Sequence, residues 1–542
     1  MAFGKGKNDS VATMEEVHGH PDYAGEPVNT GHELHRALKN RHIAMISIGG
    51  VIGTGLFLGT GTALHNGGPA GLLLGYAIMG TICFAVMTCI GEMVAFLPVA
   101  GGHITLARRF VDPAFSFALG WNYWYNWVIT LPTELTAAAL IINFWGWDVN
   151  SGVWITICLL LVVAINLLGT RAYGEAEFWF ASIKVLTIVC LIIVGIVIAA
   201  GGGPNGNASG FTYWNDPGAF NDNFNGITGS LGKFLGFWAV LIQAAFSYIG
   251  TEIVAIAAGE AENPRRNIPK AIKRVSFRIV TFYILGTFVI GLTVAYNDPT
   301  LIAAKDGTAN GSPFVIAIKN AGIGVLPSII NFCVLTSAWS AASSDLYTSS
   351  RALYGLAVSG QAPKIFTRTS KNGLPYYAAA VSILFTSLAY LSLSKGAGKV
   401  FGWLQDLTAI CGLITWTCIC IIYLRFHAGM KAQNIDRNRL PYKSPFGVWG
   451  AYYALVWIII VMLTNAWQVF RPGHFDLEIF ITSYLPLPLF FVLFAGAKIF
   501  NRTKFIAAQD MDFVTGVRDF EESHDTTKKP RTRGQRVWNW LM

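Results

Sequence analysis

Twelve long apolar stretches decide what this chain can fold into. They run roughly over 43–64, 71–97, 114–145, 152–169, 177–200, 234–258, 277–296, 323–357, 376–394, 400–426, 448–470 and 477–499. Most are close to the length of about 20 residues that a helix needs to cross a bilayer. The third and eighth are long enough to tilt strongly or to extend beyond the lipid. Only 13% of the 542 residues are charged and 53% are apolar, whereas a soluble domain carries roughly 25% charge. Too few solvating side chains remain to cover a soluble fold of this size. The expected class is an all-α polytopic membrane protein of twelve transmembrane helices. A disordered chain, a disulfide scaffold and an ordinary cytosolic enzyme are excluded.

The placement of Lys and Arg orients the spans, because basic residues mark the cytoplasmic side. Arg108 and Arg109 follow span two, and Arg171 follows span four. Arg265, Arg266, Lys270, Lys273 and Arg274 follow span six. Lys364, Arg368 and Lys371 follow span eight, and Arg425, Lys431, Arg437, Arg439 and Lys443 follow span ten. The connections 65–70 and 146–151 have no basic residue, and 201–233 has only Lys233. Both tails are therefore expected in the cytoplasm, consistent with an even number of spans. The formal charge of +9 reflects this topology and calls for no nucleic-acid partner. The first forty residues are polar and lack the apolar core of a cleavable signal peptide. The eight cysteines fall inside apolar runs without metal or redox spacing and read as buried thiols. No metal or cofactor is expected. The outward loop 201–233 carries the glycosylation sequon Asn207-Ala-Ser209, and Asn310-Gly-Ser312 is weakened by Pro313.

Two spans look broken. Span one reads Gly49-Gly50-Val51-Ile52-Gly53-Thr54-Gly55-Leu56-Phe57-Leu58-Gly59, five glycines in eleven residues. Each glycine costs a helix about 1 kcal/mol relative to alanine. A dinucleotide-binding turn is rejected, since that motif needs a preceding strand in a soluble setting. Close helix contact through small residues is the rival to local unwinding. Span six carries Phe246-Ser247-Tyr248-Ile249-Gly250-Thr251-Glu252 at mid-membrane. Unwound backbone survives in a bilayer only where protein or a watery cavity surrounds it. Freed N–H groups suit a carboxylate and freed carbonyls suit an ammonium, so two facing breaks can clamp the constant part of an α-amino acid. Spans one and six are the first members of two successive sets of five, the second set inverted. Paired interruptions of that kind point to a transporter site.

These stretches resemble the amino acid–polyamine–organocation superfamily, and within it the fungal amino acid permease branch. The resemblance rests on the glycine-rich span one, on Gly91-Glu92-Met93 with Pro98-x-x-Gly101-Gly102, and on Pro132-Thr133-Glu134-Leu135. It rests also on the run from Glu260-Ala261-Glu262-Asn263-Pro264 to Ala271, on Ser337-Ala338-Trp339-Ser340 through Arg351, and on Gly360-x-Ala362-Pro363. It covers about 35–500 and implies a five-plus-five inverted repeat followed by two further helices. The implied domain spans 41–500, with repeats at about 43–200 and 234–426 and extra helices at about 448–499. Cytoplasmic tails at 1–40 and 501–542 flank it. Also implied are alternating access and proton-driven uptake at the plasma membrane. By position, Gly53, Thr54 and Gly55 would hold the substrate carboxylate. Phe246, Ser247, Tyr248, Ile249 and Gly250 would receive the amino group, with Phe246 as an aromatic lid. Some members of the branch have an aspartate-free, Asn-containing span eight, whereas this chain has Asp345.

Ionisable groups in a span cost at least about 2.5–3.5 kcal/mol and need a reason. Glu134, roughly central in span three, can sense substrate size or charge, relay a proton, or bond between helices. Lys184 in span five matches a lysine that, in sodium-independent relatives, approaches the break in span one and stands in for a sodium ion. Its rival role is snorkelling to the cytoplasmic face. Glu252 can cap freed N–H groups or join proton transfer. Glu92 suits a gate or loop contact, and Trp339 either lines the pocket or packs. No compensating charge near spans one and six suits a charged side chain, and span eight, around Trp339-Ser340 and Arg351-Ala352-Leu353-Tyr354, resembles carriers of proline and neutral amino acids. A non-transporting sensor and a carrier of basic amino acids, polyamines or γ-aminobutyrate stay open. An enzyme is not expected, since the spans hold no catalytic constellation. The tails, with Lys5, Lys7 and Lys528 to Arg536, offer docking ground for trafficking machinery.

Overall fold

The computed structural model describes residues 45, 52–99, 101–253, 264–305, 312–370 and 373–515. Gly49, Gly50, Val51, the signature stretch 260–263, Asn310 and both chain ends lie outside them. The apolar runs become helices. Span three is Pro113–Ile142, span four Ser151–Leu167, span five Thr170–Ala199 and span eight Leu326–Val358. Span ten is Ala397–Ala432 and span eleven Gly447–Thr464. Span twelve is Leu477–Tyr484 and Pro486–Asn501, bent by 47° between them. Spans one and two meet inside the helix Thr60–Phe96 at Gly68, whose φ of +71° only glycine adopts without strain. A Cβ there would lie 2.8 Å from the Asn221 nitrogen of the loop between spans five and six. Among the described residues nine helices are long and apolar enough to cross a membrane. The bent pair, the shorter span four and the kink at Gly68 are consistent with twelve.

Some boundaries move. The helix of span seven starts at Pro264, well before 277, because its basic first turns form an amphipathic extension that needs no lipid. The hairpin Asn223–Phe224 with Ile227–Thr228 is the sole strand pair among the described residues. Cys190 is exposed, contrary to the expectation of buried thiols. It lies on an outer face of span five shared with Leu186, Ile193 and Val197, where only lipid can cover so much apolar surface.

Spans three and ten are the most enclosed and form the centre. Span eight lies along span three, spans one and two lie along span six, and span ten touches spans three and six. Span pairs 1/6 and 3/8 are the repeat mates of an inverted architecture, so the two halves face each other across the breaks.

One end of the bundle is tied by buried charge. Glu92, fully buried near the end of span two, accepts from Tyr423 Oη at 2.7 Å, the Ser444 N–H at 2.7 Å and Arg437 Nε at 2.7 Å. This is the loop contact foreseen for Glu92: it clamps the connection between spans ten and eleven. Asp112 caps span three, accepting from the Ala114 N–H at 2.6 Å, and pairs with Lys498 beyond the bend of span twelve. The segment after span twelve folds back, with the Ile506 N–H bonded to the Val111 carbonyl at 3.0 Å and Arg109 3.7 Å from Asp512. All these contacts gather on the face that the basic residues assign to the cytoplasm. At the opposite face Lys395 and Lys399 depart from the charge rule, and both pair with the single carboxylate of Glu478 at 3.0 and 2.7 Å. Leaving a buried donor such as Tyr423 Oη or the Ser444 N–H without its acceptor costs about 1–3 kcal/mol. Glu92→Ala is accordingly expected to lower the unfolding temperature of the detergent-purified protein by several degrees, read from its size-exclusion profile after heating. An unchanged profile would contradict the clamp.

Candidate functional site

Span six unwinds where the sequence suggests. Its helix Gly229–Tyr248 stops at Ile249, which is extended with ψ of 149°, and Gly250 turns the chain at φ of +91°. Residues 250–252 form a turn before helix resumes at 253. The opened backbone is partly satisfied by side chains. Tyr283 Oη donates to the Ser247 carbonyl at 2.9 Å, and Thr251 Oγ1 donates to the Tyr248 carbonyl at 2.5 Å. Glu252 Oε2 accepts from the Gly250 N–H at 3.1 Å and from Trp416 Nε1 at 3.1 Å. Glu252 is thus a cap on the break, the first of its two expected roles.

Span one is irregular at Ile52 and Gly53 and then enters a wide π turn, Gly55–Gly59. Ser337 of span eight donates to the Ile52 carbonyl at 3.2 Å, meeting one freed acceptor. The two breaks touch. A Cβ on Gly55 would stand 2.9 Å from Ser247 Oγ and 3.0 Å from Phe246 Cδ1, and one on Gly53 would stand 2.9 Å from Glu134 Oε1. Here glycine is needed for close approach of backbone to side chain, since neither residue adopts a positive φ.

Between the breaks lies a small cavity of about 50 Å³ with mixed polar and apolar walls. Gly53 and Gly55 of span one and Phe246, Ser247, Ile249 and Gly250 of span six face it. Trp127, Thr130 and Glu134 come from span three, Ser344 and Asp345 from span eight, and Thr408 from span ten. A far larger cavity, about 840 Å³, opens between spans two, seven and eleven. Its walls are almost wholly apolar and face outward, so it offers nothing to a zwitterion.

The foreseen residues separate into groups. Gly53, Gly55, Glu134, Phe246, Ser247, Ile249 and Gly250 come together. Thr54 does not present a free donor. Its hydroxyl donates to Glu134 Oε1 at 3.0 Å and its backbone N–H faces the same carboxyl, so Thr54 positions Glu134 at the start of the half-helix. Tyr248 points away from the cavity, its ring against Tyr283 at 4.5 Å and its hydroxyl on the Tyr76 carbonyl. Trp339 also lies elsewhere, donating to Cys158 Sγ of span four at 3.1 Å. It sits two residues before Ala341, on another face of span eight, and the pocket-lining reading is corrected. Lys184 is fully buried, which overturns snorkelling; its Nζ lies 3.9 Å from Glu177 Oε1. Asn207 is exposed on its loop. Among the described residues no cluster of His, Cys, Asp or Glu has the arrangement to hold a metal.

Several lining residues escaped the sequence reading, and some were within its reach. Trp127, Thr130 and Glu134 recur at helical spacing along one face of span three. Glu177 lies seven residues, two turns, before Lys184, so opposite charges on one face of an apolar run were already visible. Ser344 and Thr408 carry no comparable signal.

The geometry agrees with relatives. A family model for amino acid permeases matches residues 42–508. The chain is 46% identical over 505 residues to the dicarboxylic amino acid permease of Saccharomyces cerevisiae, covering 92% of this chain and 82% of that one. It is also 46% identical over 514 residues to the proline-specific permease of Emericella nidulans, covering 93% of each. The proline-specific permease of Saccharomyces cerevisiae is 44% identical, over 91% of this chain and 80% of that one. A crystal structure of an Eremococcus coleocola manganese transporter shares the fold, with a TM-score of 0.55 over 88% of this chain and 94% of that chain at 11% identity. A match to the family model over most of its length, joined to paired broken helices around a buried cavity, means that this chain belongs to the amino acid permease family and is a multi-pass membrane transporter, not an enzyme.

Proposed function

We propose that the protein takes up proline or another neutral amino acid across the plasma membrane, coupled to protons, by alternating access. The observation that carries this is the meeting of two interrupted helices at a cavity bordered by carboxyls, with one buried ammonium behind it. In this reading the half-helix at Gly53 and Gly55 takes the substrate carboxylate, helped by the positive end of its dipole. The opened carbonyls between Phe246 and Gly250 take the amino group, and Phe246 closes over the side chain. Lys184 links proton movement to the break in span one, and Glu252 stiffens the break in span six. The cavity of about 50 Å³ admits a substrate only after the two halves move, as alternating access requires.

The named specificities of the relatives include proline twice and dicarboxylic amino acids once at similar identity. Glu134 and Asp345 beside the cavity offer no cation to a second carboxylate on the substrate and favour the neutral reading. We further propose the domain limits implied by the resemblance, cytoplasmic tails that meet trafficking machinery, and glycan attachment at Asn207.

Uptake of labelled proline into cells lacking their own carriers tests the reading, with proline, arginine, glutamate and γ-aminobutyrate as competitors. Proline is expected to compete best, and a protonophore should abolish accumulation. Best competition by glutamate would assign an acidic substrate. Arginine or γ-aminobutyrate winning would assign those classes, uptake that stops at equilibration would indicate a carrier without proton coupling, and no uptake above background would indicate a sensor.

A further inference from the structure

Behind the cavity, four ionisable side chains share one buried space. Glu177 and Lys184 of span five stand 3.9 Å apart, Oε1 to Nζ. Glu134 of span three and Asp345 of span eight act electrostatically on the same ammonium. All four are at most 3% exposed. Lys184 Nζ, Glu177 Oε1, Glu134 Oε2 and Asp345 Oδ2 have no hydrogen-bond partner among the described residues. Three carboxyls therefore face one cation. An uncompensated buried charge costs several kcal/mol, so the cluster comes near neutrality only if two of its carboxyls hold protons.

The three carboxyls are not equivalent. Glu134 borders the cavity and is fixed to Thr54 at the half-helix. Asp345 borders the cavity too. Glu177 alone stands back from it, joined to span eight by a 2.6 Å hydrogen bond from Ser340 Oγ. The same stretch of span eight holds the Ile52 carbonyl through Ser337 and lines the cavity through Ser344 and Asp345. A shift of span eight against span five thus changes the surroundings of Glu177 and of the break in span one together. Among the described residues Lys184, Asp345 and Tyr173 are the titratable groups that act on Glu177. Tyr347 of span eight stacks on Tyr173 at 4.0 Å between ring centroids, with Arg351 over it.

We propose that Glu177 is the group that carries the transported proton, with Lys184 as its permanently charged counter-cation. The proposal rests on proton-coupled transport as read from the site and names its proton carrier. In the outward-open form the Glu177 carboxylate takes one proton from external water and becomes a neutral acid. In the inward-open form that O–H bond breaks, the proton passes to cytoplasmic water, and the carboxylate returns to the ammonium. Lys184 keeps its proton throughout, so one positive charge crosses per cycle.

The test uses the full chain in proteoliposomes, with labelled proline and an internal pH dye. In the wild type an inward pH gradient should drive uptake by up to about tenfold per pH unit, one proton's worth of free energy. Glu177→Gln should reduce that stimulation to none while exchange of labelled for unlabelled substrate stays measurable. Lys184→Arg, which stays protonated in any protein, should keep the stimulation whatever its absolute rate. Loss of stimulation in Lys184→Arg with retention in Glu177→Gln would overturn the proposal and make the amine the carrier. If Glu177→Gln does not fold, Glu177→Asp should shift the pH midpoint of uptake, and an unmoved midpoint would overturn it equally. A wild type indifferent to the gradient would refute proton coupling itself, a separate result.

Discussion

Gly53→Leu is expected to abolish amino acid uptake while the protein still reaches the cell surface. The first added carbon alone would stand 2.9 Å from Glu134 Oε1 and 3.7 Å from Ala341 Cβ. The remaining carbons of leucine have only the cavity of about 50 Å³ to enter, and that is where the head group of the substrate must lie. Losing the carboxylate contact and gaining a steric block should together cost at least about 3 kcal/mol, a hundredfold or more in affinity. Gly53→Ala adds one carbon that presses only on the end of the Glu134 side chain and should be partly active. Labelled uptake measured against surface biotinylation decides the matter. Normal uptake in the leucine variant would remove Gly53 from the carboxylate site.

Lys184→Ala should produce the second large effect, a fall in uptake together with loss of its pH dependence. Without the ammonium, the carboxyls of Glu134, Glu177 and Asp345 lose the one cation among the described residues that acts on all three. Buried carboxyls without a counter-charge hold their protons, because ionisation would strand a charge in low dielectric. A cluster that cannot release a proton on the cytoplasmic side cannot return for another. Uptake measured between pH 5 and 8 should therefore become flat. A pH profile identical to that of the wild type would take Lys184 out of coupling.

How much of the site the sequence disclosed follows from what kind of signal each residue leaves. Gly53, Gly55 and Gly250 were legible because several glycines in a membrane run contradict the only structure that lipid permits without help. Glu134 and Lys184 were legible because a charge inside an apolar run must have a partner. Tyr248 and Trp339 were misplaced for the converse reason. An aromatic residue near a break is chemically suited to a pocket and to a helix interface alike, and only the rotation of each helix about its axis separates the two. Thr54 lay in the right place with its donors engaged by Glu134, a competition that no reading along one chain can foresee. Cys190 followed the same logic, since an apolar run does not say which of its faces meets lipid.

Taken alone, the order of residues determined the twelve apolar runs, the side on which basic loops gather, and the two positions where helix could not continue. Those are consequences of local chemistry: transfer of side chains into lipid and the cost of glycine in a helix both act residue by residue. Only the tertiary structure decided which helix faces meet. It put Glu177 beside Lys184, fixed Glu134 to Thr54, and set three carboxyls around one ammonium. Such groupings arise where spans three, five and eight converge, far apart in the chain, and the energy of a buried charge depends on everything surrounding it.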